Sequence, residues 1–131
     1  MINIGITSNI KKYYNDYIDF IDHYWIRAFK KKKINYTLIP NNKRLSENFL
    51  SKIDILILAG GNDIKSQKSE SRIRNKVEIN LIKKCLTKKI PILGICRGAQ
   101  LINIYFKGKI TKIKGHMRTR HNVFFKKNKI I

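Results

Sequence analysis

The sequence predicts an α/β fold in which helices flank a doubly wound, mostly parallel sheet. Two nearly continuous apolar runs, residues 54–59 and 91–95, have the composition of strands that are buried on both faces. Segments with helical periodicity lie between and after them, and strands that alternate with helices at this spacing form parallel sheets. The 131 residues provide material for one domain, 1–131, with one core.

The other elements follow from periodicity and turn residues. Residues 2–7 alternate and are rich in β-formers, so they predict the first strand. Apolar residues at steps of three and four, from Ile18 to Phe29, predict an amphipathic helix over 16–32. We expect further strands at 36–39, 109–113 and 122–125, helices at 45–50, 77–86 and 96–103, and a mobile polar loop at 64–71.

The charge is strongly unbalanced, with 29 Lys and Arg against 8 Asp and Glu and a formal net charge of +21. One interpretation is an anionic partner, such as a phosphate-bearing small substrate. The other is a chain-wide drift in amino-acid usage, because 22 Lys, 13 Asn and 25 Ile are spread over every segment. No aromatic platform or nucleic-acid motif accompanies the lysines, so no specific nucleic-acid partner is predicted.

The two cysteines, Cys85 and Cys96, are too few for a disulfide framework and lack the spacing of metal ligands. Reduced thiols are typical of the cytoplasm, and no signal peptide or membrane span is recognisable. We therefore expect a cytoplasmic protein without a metal, a cofactor or a membrane partner. Cys85 lies on the apolar face of a predicted helix and is expected to be a packing residue.

Cys96 stands between Gly94 and Gly98 at a predicted strand-to-helix junction, the arrangement of a nucleophile elbow. A sharp turn of this kind requires small neighbours, and it raises the sulfur clear of the carboxyl end of the strand, where open α/β sheets bind ligands. The helix that follows directs its N–H groups and positive dipole end toward the sulfur, which favours the thiolate. The alternative is a small buried cysteine whose neighbouring glycines permit close packing.

A second feature ends at the same edge of the predicted sheet. Gly60 and Gly61 follow the buried strand 54–59 and leave backbone N–H groups unobstructed. Together with the N–H of Arg97 they can form an oxyanion hole for a tetrahedral intermediate. The two features in combination predict an acyl-transfer site.

Residues 90–100, Ile-Pro-Ile-Leu-Gly-Ile-Cys-Arg-Gly-Ala-Gln, and residues 57–63, Ile-Leu-Ala-Gly-Gly-Asn-Asp, resemble the class I glutamine amidotransferases. Within these, the chain is most similar to the γ-glutamyl hydrolase (peptidase C26) branch, and residues 121–125 extend the similarity to γ-glutamyl-CDP-amidate hydrolases of capsule phosphoramidate biosynthesis. The resemblance covers residues 2 to about 125. It implies a flavodoxin-like core and hydrolysis of a γ-glutamyl amide.

By position, the resemblance implies that Cys96 is the catalytic nucleophile. The backbone N–H groups of Gly61 and Arg97 become the oxyanion-hole donors, and Gln100 becomes a contact to the glutamyl group. The implied partners are a small γ-glutamyl substrate and either a synthetase or a separately encoded C-terminal piece.

The resemblance also places Gly60, Asn62 and Asp63 in the substrate-binding loop. For Asp63 two interpretations stay open, a cap that stabilises the loop or a contact to substrate. The side chain of Arg97 has two as well, since it can meet a substrate carboxylate or phosphate, or only water.

The chain departs from the family pattern in its histidines. His23, His116 and His121 are outside the family's catalytic histidine motif, which lies with its acidic partner beyond residue 131. We expect His23 to be an exposed or capping residue, and either of the others must come within about 3 Å of the sulfur, or within one water of it, to act as the base. We therefore expect a core that is incomplete at its C-terminus, and two functions stay open: a hydrolase, or a catalytically silent remnant or binding subunit that needs a separately encoded C-terminal piece.

Overall fold

The computed structural model describes residues 2–115, 120, 122 and 124. Six strands, four α-helices and one 3₁₀ turn succeed one another along this part of the chain. In chain order they are β1 Asn3–Thr7, β2 Asn9–Tyr13, β3 Asp16–Phe20, α1 His23–Lys32, β4 Asn35–Ile39, α2 Lys43–Asn48, the 3₁₀ turn Leu50–Lys52, β5 Ile55–Leu58, α3 Ser69–Lys88, β6 Ile92–Gly94 and α4 Arg97–Tyr105. None of the described helices is both long and apolar enough to cross a membrane.

The main sheet has four strands in the order β4-β1-β5-β6, and every pairing in it is parallel. This confirms the predicted α/β sheet. Each crossover between neighbouring parallel strands passes through at least one helix, as parallel connections require. All four carboxyl ends therefore meet at one edge of the sheet.

The helices cover both faces of this sheet. On one face α1 packs Phe29 against Ile4, Ile6 and Ile57. On the other face α3 and α4 cover Leu56 and Leu58 with the buried residues Val77, Leu81, Ile82, Cys85 and Leu101. Two cores on opposite faces are what a doubly wound sheet produces.

The predicted helix over 16–32 is wrong over residues 16–22. Residues 9–20 form an antiparallel hairpin instead, with Tyr13 paired to Asp16 and Tyr14 in the left-handed region at φ 51°. Every residue of β3 is exposed, so the helical spacing of Ile18 was a coincidence and not the mark of a buried face. The helix begins only after Asp22, whose carboxylate accepts a hydrogen bond of 2.7 Å from the Tyr24 N–H and caps the first turn.

The predicted strand at 109–113 is also wrong, because these residues are irregular. Their carbonyl groups are used by side chains: Asn103 Nδ2 donates to the Lys109 oxygen at 3.0 Å, and Lys65 Nζ donates to the Ile110 oxygen at 3.0 Å. A strand would need such groups for its ladder. The predicted strand at 122–125 lies outside the described residues, apart from Asn122 and Phe124.

Candidate active site

The ends of β5 and β6 bring the predicted nucleophile and the glycine pair together. Leu58 is paired with Gly94, and the Ile95 N–H continues the ladder with a 3.0 Å hydrogen bond to the Leu58 oxygen. The chain segments that follow the two strands therefore leave the sheet side by side. A Cβ atom placed on Gly60 would lie 3.5 Å from the Cβ of Cys96, so the two residues are direct neighbours at this edge of the sheet.

Cys96 has an unusual backbone at this junction. Its φ of 51° and ψ of −107° lie outside the regions that L-residues ordinarily occupy, a strain of roughly 1–3 kcal/mol. The residue is exposed, and α4 begins at the next position. The Gln100 N–H donates to the Cys96 oxygen at 3.1 Å, which joins the cysteine directly to the first turn of the helix.

The glycines on either side of Cys96 are required by space. A Cβ on Gly94 would lie 2.6 Å from the Ala99 nitrogen, and one on Gly98 would lie 2.0 Å from the Leu58 oxygen. Both obstacles are backbone atoms that cannot rotate away. The helix consequently approaches the sheet closely enough for the sulfur-bearing residue to stand at its edge.

Gly61 has a positive φ of 121°, a conformation that side chains rarely tolerate. A Cβ there would also lie 1.7 Å from the Asn9 Oδ1 atom, so the hairpin occupies the space beside the glycine. The backbone of the glycine pair is thus held between the hairpin on one side and Cys96 on the other.

A cleft of about 300 Å³ adjoins Gly60, Gly61 and Ile95. The hairpin contributes Asn9 to its wall, and the start of α1 contributes the residues Asp22, Tyr24 and Trp25. Asp22 is the charged residue of this wall, in a chain whose net charge is +21. The cleft can therefore receive a small ligand that carries a positive group.

The side chain of Arg97 is buried and meets neither substrate nor water as its main partner. Its guanidinium forms an ion pair with Glu78 and donates a hydrogen bond to Asn75 Oδ1, while only 2% of its surface is exposed. Its Nε atom has no hydrogen-bond partner among the described residues. Neither interpretation describes this side chain: it is withdrawn from water, and the carboxylate that it contacts is that of Glu78.

Arg74, Glu78 and Arg97 form a fully buried charge cluster beneath the loop and the elbow. Arg74 Nε lies 3.0 Å from Glu78 Oε1, and the same oxygen accepts a 2.7 Å hydrogen bond from Thr7 Oγ1. Burial lowers the pKa of Arg74, and the attraction of Glu78 opposes that effect. One carboxylate therefore neutralises part of the charge of two guanidinium groups.

This cluster was missed in the sequence, although a signal was present. Arg74 and Glu78 are four residues apart and fall on the same helical stripe as Val77, Leu81 and Cys85, which are all buried. Opposite charges at this spacing on an apolar helix face indicate a buried pair. The helix was predicted from the apolar residues of the stripe alone, so the two charged residues on it were overlooked.

Asn62 and Asp63 mainly stabilise the loop in this structure. Asn62 Nδ2 donates to the Ile10 oxygen at 2.8 Å, and its Oδ1 accepts from Arg74 at 3.1 Å, so both ends of the amide are engaged. Asp63 Oδ1 accepts a 2.9 Å bond from the Lys65 N–H, which is the capping role considered for it. Asp63 is exposed, whereas Asn62 is partly buried.

Gln100 is exposed and lies one helical turn beyond Cys96. Of the histidines, His23 is exposed at the first position of α1, beside two residues that line the cleft, while His116 and His121 lie outside the described residues. Within residues 2–115, 120, 122 and 124, no group of three or more His, Cys, Asp and Glu side chains is placed to hold a metal ion.

The fold and site define an α/β protein of the glutamine-amidotransferase type. A crystal structure of a glutamine amidotransferase from Thermotoga maritima is similar over 79% of this chain and 42% of its own, with a TM-score of 0.56 and 20% identity. At this sequence identity, the similarity shows that the two proteins share a fold.

The chain belongs to the peptidase C26 family, whose model matches residues 3–130. It is 36% identical to a γ-glutamyl-CDP-amidate hydrolase of Campylobacter jejuni over 98% of its own length and 66% of that relative. It is also 34% identical to a carbamoyl phosphate synthase small chain of Clostridium perfringens, over 94% of this chain and 29% of the relative. The chain thus spans only part of the length of these relatives.

Proposed function

We propose that this chain carries the nucleophile of a hydrolase that cleaves γ-glutamyl amides. The observation that supports this most strongly is the exposed Cys96, held in a strained turn against Gly60. Strain of this kind persists where the surrounding structure enforces it, and it is concentrated at functional sites. A cysteine that only fills space in the core would not require a strained backbone.

In the proposed reaction the Cys96 thiolate attacks the γ-carbonyl carbon and forms a C–S bond. The carbonyl oxygen becomes an oxyanion, which accepts hydrogen bonds from the N–H groups of Gly61 and Arg97. Collapse of the intermediate breaks the C–N bond, and the leaving nitrogen takes a proton from solvent water to depart as the amine. Water then attacks the γ-glutamyl thioester, releasing glutamate and restoring the thiol.

The cleft beside the glycine pair is the proposed site of the glutamyl group. Asp22 is placed there to accept hydrogen bonds from the α-ammonium group, and the rings of Tyr24 and Trp25 add apolar wall. Gln100 is the proposed second contact, from the helix that follows the nucleophile. A ligand with one ammonium group suits a wall with one carboxylate.

The leaving group is proposed to carry phosphate. The relative from Campylobacter jejuni is named for a cytidine-diphosphate amidate, and the net charge of +21 attracts phosphates. A second cleft of about 360 Å³ lies beyond Asn62 and includes Lys11 and Lys68, together with Asp63 and Glu70. These lysines are the proposed phosphate contacts.

A second candidate function is a binding subunit that requires another polypeptide segment for turnover. Among the described strands, β6 is paired on one side only, and Leu93 and Ile95 next to the elbow are 51% and 38% exposed. An apolar strand edge of this kind favours a covering segment. We propose that such a segment supplies the acid that protonates the leaving amine, either from a separately encoded piece or from a synthetase.

The test is release of glutamate from γ-glutamyl p-nitroanilide by the purified chain and by its Cys96→Ser variant. Turnover that Cys96→Ser abolishes supports the hydrolase, and turnover that survives the substitution refutes it. If Cys96 is alkylated rapidly by iodoacetamide but the chain releases no nitroaniline, the second candidate is supported, because the thiolate is then reactive and the leaving amine lacks its acid.

A further inference from the structure

We infer that Glu78 is a positioning residue that fixes both donors of the oxyanion hole, the N–H groups of Gly61 and Arg97. This inference rests on the proposed function, because it assigns a role to the support of that site. Glu78 lies on α3, on the far side of the glycine loop from the cleft wall formed by α1, and has no direct place in the chemistry.

The two oxygens of Glu78 are used by different parts of the site. Oε1 accepts hydrogen bonds from Arg74 Nε at 3.0 Å and from Thr7 Oγ1 at 2.7 Å, and Oε2 pairs with Arg97 Nη1. The side chains of Glu78, Arg74, Arg97 and Thr7 are all buried. A carboxylate that is fully withdrawn from water is costly unless its partners are fixed, so these contacts hold one geometry.

Through Arg74, Glu78 orients the peptide between the two glycines. Arg74 Nη2 donates to the Ala59 oxygen at 2.8 Å and to the Gly60 oxygen at 3.1 Å. In a trans peptide the C=O of one residue and the N–H of the next point in opposite directions. Because the Gly60 oxygen faces Arg74, the Gly61 N–H faces away from it.

Through Arg97, Glu78 orients the first turn of α4. The Arg97 side chain is anchored at Glu78 and at Asn75, whose own Nδ2 donates to the Ile64 oxygen at 3.0 Å. The anchor restricts rotation of the helix start, and the N–H of Arg97 turns with it. One carboxylate therefore sets the relative placement of two donors that come from different strand ends.

The test separates the oxyanion hole from the thiol by using two electrophiles. p-Nitrophenyl acetate acylates a thiolate through a tetrahedral oxyanion and needs no glutamyl recognition, whereas iodoacetamide alkylates it by displacement of iodide without such an intermediate. In Glu78→Asp the charge stays but the shorter side chain cannot contact both guanidinium groups. We expect acetylation of Cys96 to slow by about 100-fold, the effect of a misplacement of ~1 Å, while alkylation changes by less than about twofold.

The matched control is Glu47→Asp, the same change at a surface pair with Lys84 at 3.7 Å, which should alter neither rate. Arg74→Lys is the second variant, to be used if circular dichroism shows that Glu78→Asp does not fold. It keeps the charge but lacks the planar fork that reaches two carbonyl groups. It should likewise slow acetylation of Cys96 and leave alkylation nearly unchanged. Unchanged acetylation in the folded variant, or equal loss with both reagents, would overturn the inference. If wild-type Cys96 reacts with the acetate but never with a γ-glutamyl substrate, the proposed function fails and the role of Glu78 stands.

Discussion

Gly98 packs so closely against Leu58 that a methyl group on Gly98 would lie 2.0 Å from the Leu58 carbonyl oxygen. That oxygen also accepts the Ile95 N–H, so it cannot shift without breaking the extension of the β5–β6 ladder. The glycine is the contact point at which α4 meets the sheet. The position of Cys96 at the sheet edge depends on it.

We predict that Gly98→Ala lowers the free energy of unfolding by about 1–3 kcal/mol, the usual effect of overpacking against an immovable neighbour. Urea denaturation followed by circular dichroism measures the change. Gly60→Ala is the control, because its added methyl group would be at an ordinary contact distance of 3.5 Å from Cys96. Equal destabilisation by the two substitutions would contradict the close approach of helix and strand.

The two cysteines should differ in their reaction with iodoacetamide. Burial raises the pKa of the Cys85 thiol to about 11, so this thiol is protonated at neutral pH, and its labelling should increase only as the pH approaches that value. Cys96 is exposed and should be labelled first at pH 7.5. Peptide mass spectrometry of a time course distinguishes the sites, and equal labelling of the folded chain would remove the case for an accessible nucleophile.

Asp22→Asn should separate the cap of α1 from recognition of an ammonium group. Asparagine retains the cap, so thermal stability should change little, but the lost charge should raise KM for γ-glutamyl p-nitroanilide by roughly tenfold or more. The glutaryl analogue, which lacks the ammonium group, should bind both forms equally. Asp16→Asn in the exposed hairpin is the control. A similar loss with the glutaryl compound would show that Asp22 acts only through structure.

Salt should weaken binding of a phosphate-bearing substrate more than binding of the p-nitroanilide. Raising the ionic strength from low to about 1 M shortens the Debye length to about 3 Å, which screens the attraction of the basic surface. Lys11→Gln and Lys68→Gln should reproduce part of this effect, while Lys31→Gln at the exposed end of α1 should not. Equal salt dependence of KM for both substrates would argue against recognition of a leaving-group phosphate by this basic surface.

The fold was predictable where burial dominates the sequence pattern. The run at 54–59 is apolar because both faces of β5 are covered by other elements, and local composition records that directly. The run at 91–95 was expected to be buried as well, but Leu93 and Ile95 are 51% and 38% exposed among the described residues. The hairpin was not predictable in the same way, because its residues are exposed and Ile18 matched a helical spacing by chance. The irregular course of 109–113 depends on side chains 6 and 45 residues away in sequence, Asn103 and Lys65.

Some residues of the candidate site could be predicted from the sequence, and others could not. Cys96, Gly60, Gly61 and Gly98 were identifiable because space and backbone geometry leave few residue choices there. The partners of Arg97 were not, since Glu78 and Asn75 lie on another helix, 19 and 22 residues away. Asp22 was hidden within a segment that was assigned to a helix too early.

The most direct measurement is peptide mass spectrometry of the chain quenched in acid after brief incubation with a γ-glutamyl amide. A γ-glutamyl thioester on the peptide that contains Cys96, absent from Cys96→Ser and discharged by hydroxylamine, is the predicted result. If Cys96 remains unmodified while glutamate is released, or if the acyl group is found on another residue, Cys96 is not the nucleophile and the proposed chemistry is wrong.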